Sequence, residues 1–170
     1  MHPAFSVIFL TTLIGVGQGL FLALFNVHLY SVIKVVPMQA DPPTFYGLGS
    51  LVALLFLGLG LLASFFHLGR PERGWRAIAQ WRTSWLSREV IVLPAFMGAL
   101  ALYGLVQYLG WSPHLLDLGP IRVDLSLVIG ALTTVLAFVL FVCTGMIYAC
   151  IKFLQEWATA LTVVNYTLLG

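Results

Sequence analysis

Charge is what this chain of 170 residues has least of. Only 8% of its residues are Asp, Glu, Lys or Arg, against roughly 25% in a soluble domain. Hydrophobic residues make up 61%, a balance that excludes a water-soluble globular domain and points to an integral membrane protein. A net charge of +2 is too small to hold a phosphate backbone, so no nucleic-acid partner is expected. Cysteine is nearly absent. Cys143 and Cys150 fall in one apolar stretch, about 10 Å apart if that stretch is helical, which is too far for a disulfide. They read as packing residues. With no CxxC, no metal site of the chain's own is expected, neither zinc nor iron–sulfur. Basic residues are also missing ahead of the first apolar run. That run is too long for the core of a signal peptide and reads as a retained helix.

What the chain does have is four apolar runs of membrane length. The first covers about Ala4 to Val36, the second Phe45 to Leu68, the third Leu86 to Leu109 and the fourth Val123 to Phe153. Each meets the roughly 20 residues that a span requires. Pro37 to Pro43 and Gly110 to Pro120 read as loops, and Thr159 to Gly170 as the start of a fifth helix. Pro94, near the start of the third run, could kink it. The expected fold is all-α: a polytopic transmembrane helix bundle. Gly15, Gly17 and Gly19 suggest a smooth face for close helix packing. Their GxGxG spacing is not a nucleotide loop, because no strand precedes it. Gln18 and Asn26, polar residues within the first span, read either as interhelical hydrogen bonds or as contacts to a bound ligand.

The polar residues concentrate in one place. His67 to Glu89 holds five of the eight Lys/Arg residues and three of the five tryptophans. At about 100° per residue, Trp75, Ile78, Ala79, Trp81, Trp85 and Leu86 share one arc and Arg73, Arg76, Gln80, Thr83 and Ser84 the other. The pattern predicts a short amphipathic helix within residues 70–85, lying in the membrane interface. Arg82 falls inside the apolar arc and must snorkel or meet a polar pocket. With four spans, this stretch and Lys152 share one face, while Lys34 and Arg122 lie on the other. Six basic residues against two place the basic face in the cytoplasm.

The same residues carry a resemblance. HLGRP at 67–71, followed by SWLSRE at 84–89, resembles the membrane anchor subunits of the dimethyl sulfoxide reductase family. There, a His-Leu-Gly-x-Pro closes one transmembrane helix and a Leu-Ser-x-Glu opens the next. The likeness extends to the closing Glu-Trp-Ala-Thr and Asn-Tyr-Thr-Leu-Leu-Gly. It implies a multi-pass protein of the bacterial inner (cytoplasmic) membrane. Its expected partners are an iron–sulfur electron-transfer subunit and a molybdopterin catalytic subunit, besides membrane lipid. The molybdenum cofactor and the iron–sulfur clusters belong to those partners, and this chain supplies no catalytic residue for the molybdenum chemistry. Family anchors have about eight helices, so residues 1–170 are expected to form the first half of such an anchor. An inward-facing HLGRP motif fits the sulfite-oxidising branch better than the branch whose catalytic subunits are exported.

The implied ligand is a quinone, ubiquinone or menaquinone, whose reduction takes two electrons and two protons. A histidine titrates near neutral pH, and a carboxyl group can move a proton to a bound oxygen. The resemblance transfers quinone-binding and proton-transfer roles to His67, Glu89 and Arg73. Arg70, Trp81, Arg82 and Trp85 are weaker candidates for quinone or partner contact. Simpler readings stand beside these. His67 could cap a helix C-terminus. Glu89 could pair with Arg88 or Arg82, or serve the first turn of the third helix. Arg76 and Arg88 could be topology signals only, and the whole chain could be a structural anchor. No haem is expected: His28 and His67 lie near opposite ends of their spans, roughly 20 Å apart in depth. A transporter is disfavoured because no charged residue lies deep in a span.

Overall fold

A computed structural model describes residues 5–37, 39, 41–66, 71–118, 121–150 and 158–169, with the side chains of residues 6, 71–75, 118, 121, 160 and 169 excepted. The helices are α1 (Phe5–Val32), α2 (Pro42–Phe65), α3 (Trp85–Tyr108), α4 (Leu125–Ala149) and α5 (Ala160–Leu169). A 3₁₀ segment, Pro71–Gln80, precedes α3, and a β-hairpin of β1 (His114–Leu118) and β2 (Ile121–Asp124) joins α3 to α4. Among the described residues, four helices, α1 to α4, are long and apolar enough to cross a membrane. The protein is thus an all-α, multi-pass membrane protein, as expected.

The helix ends explain where the boundaries differ from the sequence reading. α1 stops at Val32, short of Val36, because Lys34 turns left-handed at φ 60°. The Val35 and Val36 N–H groups then both donate to the Tyr30 carbonyl, at 2.9 and 3.3 Å. α2 starts at Pro42 rather than Phe45. Asp41 caps it by accepting from the Thr44 N–H at 3.4 Å, and prolines fit the first turn, whose N–H groups have no helical partner. Gly110 ends α3 in the same left-handed conformation, at φ 62°; the Trp111 N–H returns to the Val106 carbonyl at 3.1 Å, a common helix stop. α3 is continuous through Pro94.

Two expectations are corrected. The amphipathic segment is a 3₁₀ helix ending at Gln80, while Trp85 and Leu86 belong to α3. The single apolar arc is therefore divided between two elements, with a turn at residues 81–83 between them. The expected loop Gly110 to Pro120 contains a strand. β1 and β2 pair antiparallel, Leu116 opposite Val123 and Leu118 opposite Ile121. Ser112 ties this connection down: its hydroxyl donates to Ser126 Oγ at 2.9 Å and accepts the Ser126 N–H at 3.1 Å.

The described chain divides into two compact units. One comprises α1, α2, the C-terminal part of α3, the hairpin and the start of α4. Here α1 and α2 pack through glycine. A Cβ on Gly17 would meet Leu57 Cγ at 2.7 Å and the Ala53 carbonyl at 2.9 Å. Gly15 and Gly19 have open space instead. Residues two apart on a helix lie about 200° apart, so the three glycines do not share the expected face. Asn26 also departs from the interhelical role, donating at 2.8 Å to the Leu22 carbonyl of its own helix. The centre of this unit is aromatic, with Phe21 and Tyr103 fully buried and edge to face at 5.7 Å. Beside them lies a polar triangle. The Tyr103 hydroxyl and the Gln107 amide nitrogen approach His28 Nδ1 at 3.1 and 3.3 Å, and Gln107 also donates to the Tyr103 oxygen at 3.3 Å. The donor and acceptor roles at Nδ1 follow the tautomer of the imidazole.

Candidate functional site

The second unit contains the 3₁₀ segment, the N-terminal part of α3, the C-terminal part of α4, and α5. Its polar residues are set by how α3 begins. Ser84 precedes the helix and accepts the Ser87 N–H on its hydroxyl at 3.4 Å, while its carbonyl receives the Arg88 N–H at 3.3 Å. This is the ordinary work of a serine N-cap. It fixes the phase of α3, so that Arg88 and Glu89 leave the helix about 100° apart.

Arg88 folds back over the turn that precedes it. Its Nε donates to the Trp81 carbonyl and its Nη2 to the Arg82 carbonyl, both at 3.0 Å, and its guanidinium lies 4.1 Å from the centre of the Trp85 ring. Arg88 is thus a clasp holding residues 81–82 against α3, a role beyond a topology signal. Arg82 lies 5.3 Å from the Trp81 ring centre and is exposed; it neither enters a polar pocket nor pairs with Glu89.

Glu89 turns the other way. It is half-buried and accepts a hydrogen bond from the Thr144 hydroxyl of α4 at 2.7 Å. Neither Arg82 nor Arg88 forms an ion pair with it among the described residues. Since α3 begins at Trp85, Glu89 also lies beyond the first turn. Both simpler readings of this carboxylate are therefore set aside.

Next to the Glu89–Thr144 bond, α3 and α4 enclose a groove of about 610 Å³. One wall is Trp81, Trp85, Arg88, Ile91 and Val92. The other is Val135, Phe138, Val139, Val142 and Cys143, spaced one helical turn at a time along α4. Cys143 directly precedes Thr144, so the polar pair flanks the groove at its Arg88 end. The groove is apolar along its length, with the only charged lining residue, Arg88, at that end.

Among the predicted site residues, Trp81 and Trp85 line this groove and Glu89 flanks it. His67 and Arg70 lie outside the described residues, as does the side chain of Arg73. Thr144, Cys143 and the α4 wall escape the sequence reading. The apolar wall has a periodic signal, Val135, Phe138, Val139 and Val142, that could have found it; Thr144 has none. Among the described residues, no group of three His, Cys, Asp or Glu side chains is placed to hold a metal ion.

The chain is 60% identical, over 171 aligned residues, to a sulfite dehydrogenase subunit of Allochromatium vinosum. The match covers 100% of this chain and 52% of that protein, so the chain spans about half the length of the curated relative. No solved structure matches. The family model described as DMSO reductase anchor subunit (DmsC) matches residues 1–170, and the chain belongs to that family.

Proposed function

We propose that this chain is the quinone-binding membrane anchor of a molybdenum and iron–sulfur oxidoreductase of the bacterial inner membrane, passing electrons from a partner iron–sulfur subunit to the quinone pool. Sulfite is the favoured electron donor of the complex. The similarity to a protein named for sulfite dehydrogenase supports that choice. The excess of basic residues between Arg70 and Arg88 supports a cytoplasmic docking face for the iron–sulfur subunit.

The observation that carries the quinone reading is the apolar groove with a carboxylate held at its polar end. The fit is chemical. Apolar walls suit an isoprenoid tail, the Trp81 and Trp85 rings suit a flat head group, and the Glu89 carboxyl is a group that can exchange a proton. A bound quinone takes up two electrons and two protons on reduction. The chain's own part is to bind, to keep water from the apolar groove and to deliver protons. Thr144 fixes the orientation of Glu89 by donating to one of its two oxygens. Arg88 keeps Trp81 and Trp85 in place at the mouth. His67 ends the second apolar run, and together with Arg73 it completes the site in this reading, His67 as a second proton carrier and Arg73 as a donor to a ring oxygen.

The test uses the whole complex. A quinone analogue should inhibit electron transfer to quinone and leave untouched the reduction of an artificial dye by the soluble subunits. Inhibition of both activities, or of neither, would return the chain to the role of a structural anchor. Activity with an S-oxide acceptor and quinol, in place of sulfite and quinone, would move it to the reductase branch.

A further inference from the structure

We propose that Arg88 binds the quinone directly, the free end of its guanidinium donating to one ring oxygen and holding the negative charge that gathers there as electrons arrive. The inference rests on the quinone reading above and gives Arg88 a role beyond the clasp. A guanidinium has five N–H donors in a fixed fork. Arg88 commits two of them to the turn before α3, Nε to the Trp81 carbonyl and Nη2 to the Arg82 carbonyl, both at 3.0 Å. Its Nη1 makes no hydrogen bond to a described residue. Glu89, the adjacent carboxylate, is turned away and engaged by Thr144 at 2.7 Å. Among the described residues, no carboxylate forms an ion pair with Arg88. Arg88 is half-buried and is the only charged residue lining the apolar groove. A partly buried donor without an acceptor carries a desolvation cost, which a ligand oxygen relieves.

The charge is fixed in place before any ligand arrives. The two carbonyls hold one edge of the fork, and the Trp85 ring, its centre 4.1 Å from the guanidinium, holds its face. A donor held in this way needs no reorganisation as charge develops on an oxygen, which is how preorganised groups lower a barrier. The chemistry balances with the partners already named. Two electrons come from the iron–sulfur subunit, two protons are taken up, and quinone becomes quinol. Arg88 gives up no proton, because a guanidinium stays charged in a protein; it stabilises the oxygen that gains charge. Proton delivery stays with Glu89 and His67. Because Arg88 and Glu89 leave α3 about 100° apart, cation and carboxylate serve the ligand separately and do not neutralise each other.

The experiment is infrared difference spectroscopy of the assembled complex, loaded with short-chain ubiquinone or menaquinone, whichever it turns over, labelled with ¹³C at one carbonyl or the other. In the wild type the two carbonyl stretches should split, one lowered by the charge-assisted hydrogen bond. Arg88→Met should return the lowered band toward that of free quinone. Its kcat with quinone should fall by about 10²-fold, the effect of losing one preorganised donor, with dye reduction retained. Arg88→Lys keeps a cation but lacks the planar fork that bridges the two carbonyls. It should keep the lowered band and turn quinone over faster than Arg88→Met. A residue acting only as a clasp would leave both bands unmoved and make the two variants equally impaired; either result overturns the proposal. Wild-type carbonyl bands that do not split overturn it without any variant. If the wild-type complex binds no quinone at all, the underlying quinone reading fails first.

Discussion

Thr144 Oγ1 donates to Glu89 Oε1 at 2.7 Å, joining α4 to α3 across the head of the apolar groove. A hydrogen bond to a charged group contributes roughly 1.5–3 kcal/mol, enough to decide how the carboxylate is aimed. Thr144→Val keeps the shape and removes the donor. It should lower quinone turnover by about tenfold, the effect of roughly 1.4 kcal/mol, and Thr144→Ser should restore it. Steady-state assays with quinone and with dye check this; equal activity in Thr144→Val and wild type would mean that the bond does not orient the reacting carboxylate.

The groove makes a separate prediction. Val139 lies in the middle of the α4 wall. Val139→Trp should fill the space and raise the KM for quinone by about tenfold, the effect of roughly 1.4 kcal/mol, with dye reduction unaltered. An unchanged KM would show that the tail of the quinone runs elsewhere.

Packing of α1 on α2 supplies a third. Gly17→Val puts methyl groups where Leu57 and the Ala53 carbonyl already sit. Overpacking of this kind costs roughly 1–3 kcal/mol. Gly15→Ala meets nothing within 4 Å and should stay within about 0.5 kcal/mol of wild type. Thermal unfolding in detergent micelles should rank the two in that order, and a Gly15→Ala protein as unstable as Gly17→Val would contradict the observed helix phase.

The four spans are legible in the sequence because each is an apolar run long enough to cross a bilayer. Element ends are less so. The stop at Val32 depends on a lysine taking a conformation usual for glycine, and sequence gives no reason to expect it there. The 3₁₀ segment reads as part of one amphipathic helix because Trp85 and Leu86 continue the same apolar arc, whereas Ser84 begins a new helix in between. Glu89 stands out through its motif, but its partner does not. Hydroxyls in apolar helices commonly bond the carbonyl one turn back, as Thr133 and Thr134 do at 2.7 and 2.9 Å. Thr144 looks the same in sequence and differs only because a carboxylate from α3 faces it. The role of Arg88 is hidden for a similar reason: its acceptors, the carbonyls of Trp81 and Arg82, carry no side-chain signature.

In the proposed function Glu89 transfers a proton to a quinone. The decisive variant is Glu89→Gln in the intact complex, assayed in parallel with quinone and with a dye that takes electrons from the soluble subunits. Glutamine can still accept from Thr144 but cannot carry the proton. Quinone turnover should fall by roughly 10²–10⁴-fold while the dye rate and the assembly of the complex are unchanged. Wild-type quinone turnover in an assembled Glu89→Gln complex would mean that Glu89 is not the proton donor.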